Sequence, residues 1–585
     1  MNAASLLLSR RWAWAAALAL VGTALAAQLS RLAEPDIAYM LYAAGRVLGG
    51  AKLYRDIVDI NPPLIFGINL VTARLARAAA VSDILLYRLG SALLIGAVLL
   101  LVDRLLGRYV LVGQPVERRY ILLALCFALF SLVREDFGQR EHLVLALLLP
   151  YLTVAVARRQ NQEVAAAEAG LTGVLGGLAL ALKPPFVLAW LAVEGWRRLA
   201  SRHGRLRVTP ELVGLLGVGA AYAVVVAIMV PDYPRLAIAL GPAYGIYLRV
   251  PYLILLLFAP GAALTGFAVL GAVAVRGIER GREGRSVLAV ATIGCFLAGV
   301  AQHKGLRYHF YPSLALATVL VAVVAAGRGT GATLSARLYP RVSSWLAGAI
   351  ALVVVAANLR DVAGGTPTDR RRRAELVELI DTVRARGAGA SIAMLSYHMG
   401  SAFPLVNYAG VELASRFPCL WLLPASYWDA LTGTEPIRYR SLAEMGPPEL
   451  LLNQAVKQDL VRAQPRLLLV LRPFPDRPPF GFRRLNYIAY FGREPELAQL
   501  FARYQLIATN GQYDIYQRLD AGGARTGAAP STAVPPLDSI SRANAADRPA
   551  ALVDPELIAG ILAFGAIGAV SLLLSRRSAT RDALP

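Results

Sequence analysis

Apolar runs close to the ~20 residues that span a bilayer recur along this chain, and they all but dictate a membrane-embedded helical bundle. They lie at about 12–30, 83–103, 119–133, 141–157, 166–182, 184–196, 210–230, 250–275, 286–302, 308–327, 342–358 and 554–575. A soluble chain of 585 residues does not need to be 57% hydrophobic and only 17% charged. The expected fold class is therefore mainly α: a polytopic transmembrane helical bundle carrying a small periplasmic α/β domain.

The net charge of +22 would point to nucleic acid in a soluble protein. Here most of it is arginine in short loops between apolar runs, where it sets topology and meets anionic headgroups, so no nucleic-acid partner is expected. One further apolar stretch, 62–80, opens with two prolines and carries Arg74 and Arg77. If it crossed, the arginine-rich loops at 104–119, 158–159, 197–207, 276–285 and 328–341 would all move outside. The positive-inside rule favours a non-crossing 62–80, which makes 36–80 a re-entrant or membrane-surface segment. Both termini are then cytoplasmic, and 360–553 faces the periplasm of an inner (plasma) membrane. The first apolar run could serve as a cleaved signal peptide, but its length suffices to span, and an uncleaved helix is the favoured reading.

Residues 1–358 read as a membrane domain of about 11 spans, and 366–520 as a periplasmic α/β domain with strand-like SIAMLS and PRLLLVL among helical stretches. Residues 521–553, rich in Ala, Gly, Pro and Ser, read as a disordered linker, and 554–575 as a C-terminal transmembrane helix. Cys126, Cys295 and Cys419 form neither a disulfide framework nor a zinc cluster by spacing.

Three polar clusters fall on the expected outer side. Asp36 follows the first span, with Tyr54, Asp56 and Asp59 about twenty residues on, and carboxylates at a membrane boundary are costly unless hydrated, paired or used. Glu135, Asp136, Glu141 and His142, interleaved with Arg134 and Arg140, join two spans. Lys304, Arg307, Tyr308 and His309 follow in QHKGLRYHFYP, where cations flanked by aromatics suit a phosphate headgroup. The chain has only four lysines against 56 arginines. A lysine surviving such a bias marks a place for a compact ammonium, and Lys52, Lys183 and Lys304 share this side. Plain interfacial anchoring would also account for these cations. A divalent metal ion stays open as a cofactor, since no paired-ligand spacing decides it.

Taken together, Asp36, the run Gly50, Tyr54 and Asp56, the pair Pro62 and Pro63, the acid Glu141, the turn Lys183-Pro184-Pro185, and Lys304, Tyr308 and Pro312 resemble the C-type membrane glycosyltransferase superfamily. That superfamily includes protein O-mannosyltransferases and lipid A aminoarabinose transferases, and the likeness covers about residues 1–325. Glu141 stands where Asp is commoner, so the second acid is either Glu141 or Asp136. The resemblance implies transfer of a sugar from a polyprenyl-phosphate donor to a cell-envelope acceptor, with membrane lipids as further partners. It implies Asp36 as general base, Glu141 or Asp136 as second acid, and Tyr54, Asp56, Lys183, Lys304, Arg307, Tyr308 and His309 as substrate-binding residues. A glycan ligase or polymerase, or a non-enzymatic transporter or scaffold, is the alternative. One cavity lined by Asp36, Glu141 or Asp136, and Lys304 would favour the enzyme.

Overall fold

The computed structural model describes residues 10–199, 208–274, 281–326, 352–387, 389–433, 435–473 and 484–519. The expected linker 521–553 and helix 554–575 lie outside them. The chain opens with α1 (Arg10–Ser30), which bends by 64° into α2 (Pro35–Leu48). After a tight loop come α3 (Pro63–Ala79), α4 (Asp83–Leu105), α5 (Pro115–Cys126), α6 (Arg140–Arg159), α7 (Ala166–Leu182), α8 (Val187–Leu199) and α9 (Pro210–Met229). Then follow α10 (Asp232–Ile246), α11 (Tyr252–Phe258), α12 (Ala262–Ala274), α13 (Arg282–Ala301) and α14 (Arg307–Ala326). Among the described residues five helices are long and apolar enough to cross a membrane, or seven if each bent pair is one span.

α6 is the hub of the bundle. Its apolar stretch is wholly buried, whereas that of α9 is only 6% buried and faces outward. A helix apolar all round belongs inside protein or lipid, and these two show both outcomes. α7 and α9 meet through small residues. A Cβ on Gly173 would lie 2.0 Å from the Glu211 carbonyl oxygen, so only glycine permits that approach.

One element differs from the sequence expectation. The run 250–275 is two helices bent by 63° at Ala259–Gly261, because Pro260 and left-handed Gly261 interrupt it. The stretch 232–246 forms α10, with Pro242 inside it. The segment 62–80 is a helix, α3, packed along α2. It is not among the helices apolar enough to cross, and its Arg77 turns back to donate to the Gly45 carbonyl at 2.9 Å.

The α/β domain begins with α15 (Pro367–Gly387) and holds a five-stranded sheet in the order β2-β1-β3-β5-β4. The strands are β1 (Ser391–Leu395), β2 (Glu412–Leu413), β3 (Leu467–Leu471), β4 (Tyr504–Asn510) and β5 (Tyr513–Arg518). β1 pairs parallel with β2 and β3, while β5 runs antiparallel to β3 and β4. All five residues of β3 are buried, as expected of a strand covered on both faces. α16 (Pro447–Ala463) leads into β3.

The carboxyl ends of the parallel strands face the membrane helices, and this seats the domain over α2. The loop after β1 brings Phe403 against Tyr39, with ring centroids 5.3 Å apart, and the Tyr247 hydroxyl donates to the Tyr397 carbonyl at 3.2 Å. After β2, the Arg416 carbonyl accepts from the Val58 amide at 2.8 Å. One apolar core runs continuously from α1, α2 and α6 into the β1 and β3 face of the sheet.

Gly173→Val is expected to pry α7 from α9 and lower stability by about 1–3 kcal/mol or more, as overpacking does. Thermal unfolding in detergent should show the loss, and Gly195→Val, where a Cβ meets nothing within 4 Å, should not.

Candidate active site

Asp36 owes its place to the start of α2. Pro35 supplies the fixed φ of a first helical turn, and the Glu34 carboxylate caps it by accepting from the Ile37 amide at 3.0 Å. Asp36 thus sits where the helix dipole favours negative charge. The Gln139 amide donates to its Oδ2 at 3.1 Å, and the Arg140 guanidinium lies 3.9 Å away. Its side chain keeps 17% exposure, against 6% for Arg140. Arg140 also donates to the Asn61 side-chain oxygen, so it joins α6 to both ends of the 36–61 loop. Left-handed Gly138 lets the chain enter α6 here, since a Cβ would lie 2.9 Å from the Tyr87 ring.

Next along α6, Glu141 is fully buried. The Lys183 ammonium lies 2.9 Å from Oε1 and the His309 Nε2 3.7 Å from it. Neither Glu141 oxygen has a partner in hydrogen-bond geometry, so Lys183 acts as a charge neighbour, and His309 Nδ1 is also unpartnered. Burial and the nearby Arg140 hold the Lys183 ammonium below its usual range, with Glu141 opposing them. Tyr244, at the end of α10, is the common neighbour. Burial pushes its hydroxyl up to about 12, and Arg140, Asp36, Asp59 and Glu141 all act on it. The Tyr308 ring meets the His309 ring edge-on, with centroids 4.6 Å apart. Asp36, Glu141, Lys183, Tyr308 and His309 therefore gather around one point.

The other predicted residues separate from that point to different degrees. Arg307 donates to Asp136 at 3.0 Å and pairs with Glu135 at 2.8 Å, forming a rim cluster. Burial lifts the Asp136 carboxyl to about 7, opposed by Arg307 and reinforced by Glu135 and Glu141. Lys304 is buried and donates to the Tyr244 and Tyr247 carbonyls, with its ammonium 4.1 Å from the Tyr244 ring centre. It closes the C-terminus of α10, where a cation is favoured, and burial pulls it down to about 7. Tyr54 is buried and donates to the Asn61 carbonyl at 2.6 Å, fixing the loop that carries Asn61. Asp56 accepts from the Lys52 amide at 2.8 Å and lines a polar cleft of about 750 Å³ further along α2. That cleft is not lined by Asp36, Glu141, Asp136 or Lys304, so it is not the cavity the sequence reading asked for.

Gln139 and Tyr244 were not named from sequence, and Arg140 only as a cation interleaved with the acids. Adjacency to Glu141 was the available signal for Gln139 and Arg140, and nothing in the sequence marked Tyr244. The acids do not fit a divalent cation: Glu141 faces an ammonium, Asp36 faces a guanidinium, and among the described residues no three His, Cys, Asp or Glu side chains gather to hold a metal.

No protein-family model matches the chain, and no curated protein matches it. Among solved structures, ArnT from Cupriavidus metallidurans in the apo state is similar at 14% identity and a TM-score of 0.48, over 85% of this chain and 96% of that one. The Archaeoglobus fulgidus oligosaccharyltransferase, tethered by a disulfide to an acceptor peptide containing the NVT sequon, is similar at 11% identity and a TM-score of 0.43. That match covers 79% of this chain and 69% of the other.

Two outcomes follow from the buried charges. Lys183→Ala strands Glu141 in a dry site and should cost about 3–5 kcal/mol, most of it regained in the Lys183→Ala/Glu141→Gln double variant; a double-mutant cycle on thermal unfolding reads the coupling. Asp136 holds its proton more tightly folded than unfolded, so its stabilising contribution is full below about pH 4. It is lost as pH rises through about 7. The melting temperature of the wild type relative to Asp136→Asn should fall across that window, and parallel curves would contradict the assignment.

Proposed function

We propose that the chain is an integral-membrane glycosyltransferase that moves a sugar from a polyprenyl-phosphate donor to a cell-envelope acceptor on the periplasmic face of the inner membrane. One observation carries the reading: Asp36, Glu141, Lys183 and Tyr308, scattered over much of the chain, converge beside a helix end at the expected outer boundary. These four are among the residues on which the resemblance to C-type enzymes rests. A purely anchoring role would leave the cations on lipid-facing surfaces, whereas Lys183 and Lys304 are buried. The similarity of ArnT and of the oligosaccharyltransferase adds a likeness of layout and no more.

The chemistry runs as a single displacement. The acceptor hydroxyl oxygen attacks the anomeric carbon and forms the new glycosidic bond. The bond from that carbon to the donor phosphate oxygen breaks, and its electron pair leaves on polyprenyl phosphate. The acceptor proton passes to the Asp36 carboxylate, which Gln139 aims and the Arg140 guanidinium faces. In this reading Lys183 and Arg140, with Tyr308 and His309 beside them and Arg307 at the rim, answer the charge that gathers on the leaving phosphate. Glu141 keeps Lys183 in place, and Lys304 acts indirectly, through the Tyr244 and Tyr247 backbone it holds. Asp136 sets the position of Arg307, while Tyr54 and Asp56 shape the loop that supplies Asn61.

The test is transfer of radiolabelled sugar from lipid-linked donors to acceptor material in membranes holding the full chain. Asp36→Asn should reduce transfer by roughly 10²–10⁴-fold at unchanged protein level, the range a positioned base supplies. Near-normal transfer by that variant would remove Asp36 from the reaction, and no transfer by the wild type would remove the transferase reading.

A further inference from the structure

The 750 Å³ cleft has its own chemistry. It lies between the second half of α2, the α3–α4 corner and the α/β domain, and falls within the roughly 300–1,000 Å³ of small-ligand sites. Arg46 from α2, Arg77 from α3 and Arg416 and Arg462 from the α/β domain line it. Arg416 is neutralised, because Asp459 meets it at 2.7 Å. The others are not ion-paired among the described residues. Arg46 donates to the Tyr42 hydroxyl at 3.3 Å and more weakly toward the Leu413 carbonyl at 3.5 Å, and Arg77 uses one nitrogen on the Gly45 carbonyl.

Each guanidinium carries five N–H donors, so these contacts leave most of every fork free. These guanidinium groups line one cleft together with the carboxylates of Asp56, Asp83 and Glu412, and a planar fork is matched to phosphate. Beside them stand Glu412, exposed and without an ion pair among the described residues, and Asp56, whose second oxygen is free of the Lys52 amide. Carboxylates next to guanidinium groups are what ring hydroxyls need as acceptors. The cleft also reaches Asp83, which opens α4, so it sits where that long apolar helix begins.

We propose that this cleft binds the phosphorylated sugar or polyol head group of an anionic ligand, with Arg46, Arg77 and Arg462 on the phosphate and Glu412 and Asp56 on ring hydroxyls. The site is separate from the Asp36–Glu141 cluster, and the proposal holds whether or not the chain transfers sugars. Such a head group comes either on a lipid or free in solution.

The full chain is titrated in micelles with inositol 1-phosphate and with inositol, and in nanodiscs with and without phosphatidylinositol. Inositol 1-phosphate should bind at least roughly tenfold more tightly than inositol, and Arg462→Ala and Arg46→Gln should each weaken it about fivefold or more. Lys457→Ala, whose ammonium pairs with Glu496 outside the cleft, should change nothing. Retention of phosphatidylinositol in nanodiscs, lost in the same two variants, supports the proposal with a lipid as the source. Binding of the free phosphate alone supports it with a soluble source. Equal affinity for inositol and its phosphate, no binding in either arm, or binding indifferent to both substitutions overturns it.

Discussion

A helix enclosed by protein on every side cannot begin with charged residues unless its neighbours answer each of them, and α6 begins with Arg140, Glu141 and His142. All three are almost entirely buried. Arg140 is answered by Asp36 and Asn61, Glu141 by Lys183 and His309, and His142 by the Leu129 carbonyl and the Gly138 amide, both at 2.9 Å. The desolvation of such charges is offset only where geometry and partners are good. This one turn therefore dictates where α2, the 54–61 loop, the α7–α8 corner and the start of α14 must lie.

The same turn explains why the candidate site has two kinds of carboxylate. Asp36 keeps partial exposure at a helix start and is steered by an amide and a guanidinium, an arrangement suited to accepting a proton from something that arrives. Glu141 is sealed against the Lys183 ammonium and has no exposure of its own. The loose hydrogen-bond geometry around Glu141 and His309 is the kind of incompletely satisfied polar centre that accompanies function more often than plain stability.

Much of this was legible in the chain, and for identifiable reasons. Apolar length marked α4, α6, α7, α9, α13 and α14, because in lipid the backbone has almost no choice but helix. Asp36, Glu141, Lys183, Tyr308 and His309 stood out because polar groups at apolar borders are expensive. What stayed hidden depended on contacts distant in sequence. Tyr244 belongs to the site only because α10 folds under the α/β domain, where its ring lies 5.5 Å from that of Trp421. Lys304 stood out as a surviving lysine, yet its partners are the backbone carbonyls of Tyr244 and Tyr247, which no residue type reveals. The break in 250–275 turned on Pro260 and Gly261 outweighing the apolar run around them.

The seating of the sheet on α2 bears on how the molecule matures. The Asn407 side chain donates to the Ala38 carbonyl at 2.9 Å, and the Tyr42 hydroxyl meets the Leu413 amide at 2.8 Å, each across more than 360 positions of chain. Closing so long a loop is slow, and the ordering entropy is lost before the contacts reward it. The helices through α14 are synthesised well before β1 and its following loop exist. During that interval α2 lacks its cover, so the nascent bundle holds an unfinished pocket, and the last-made soluble segment completes it.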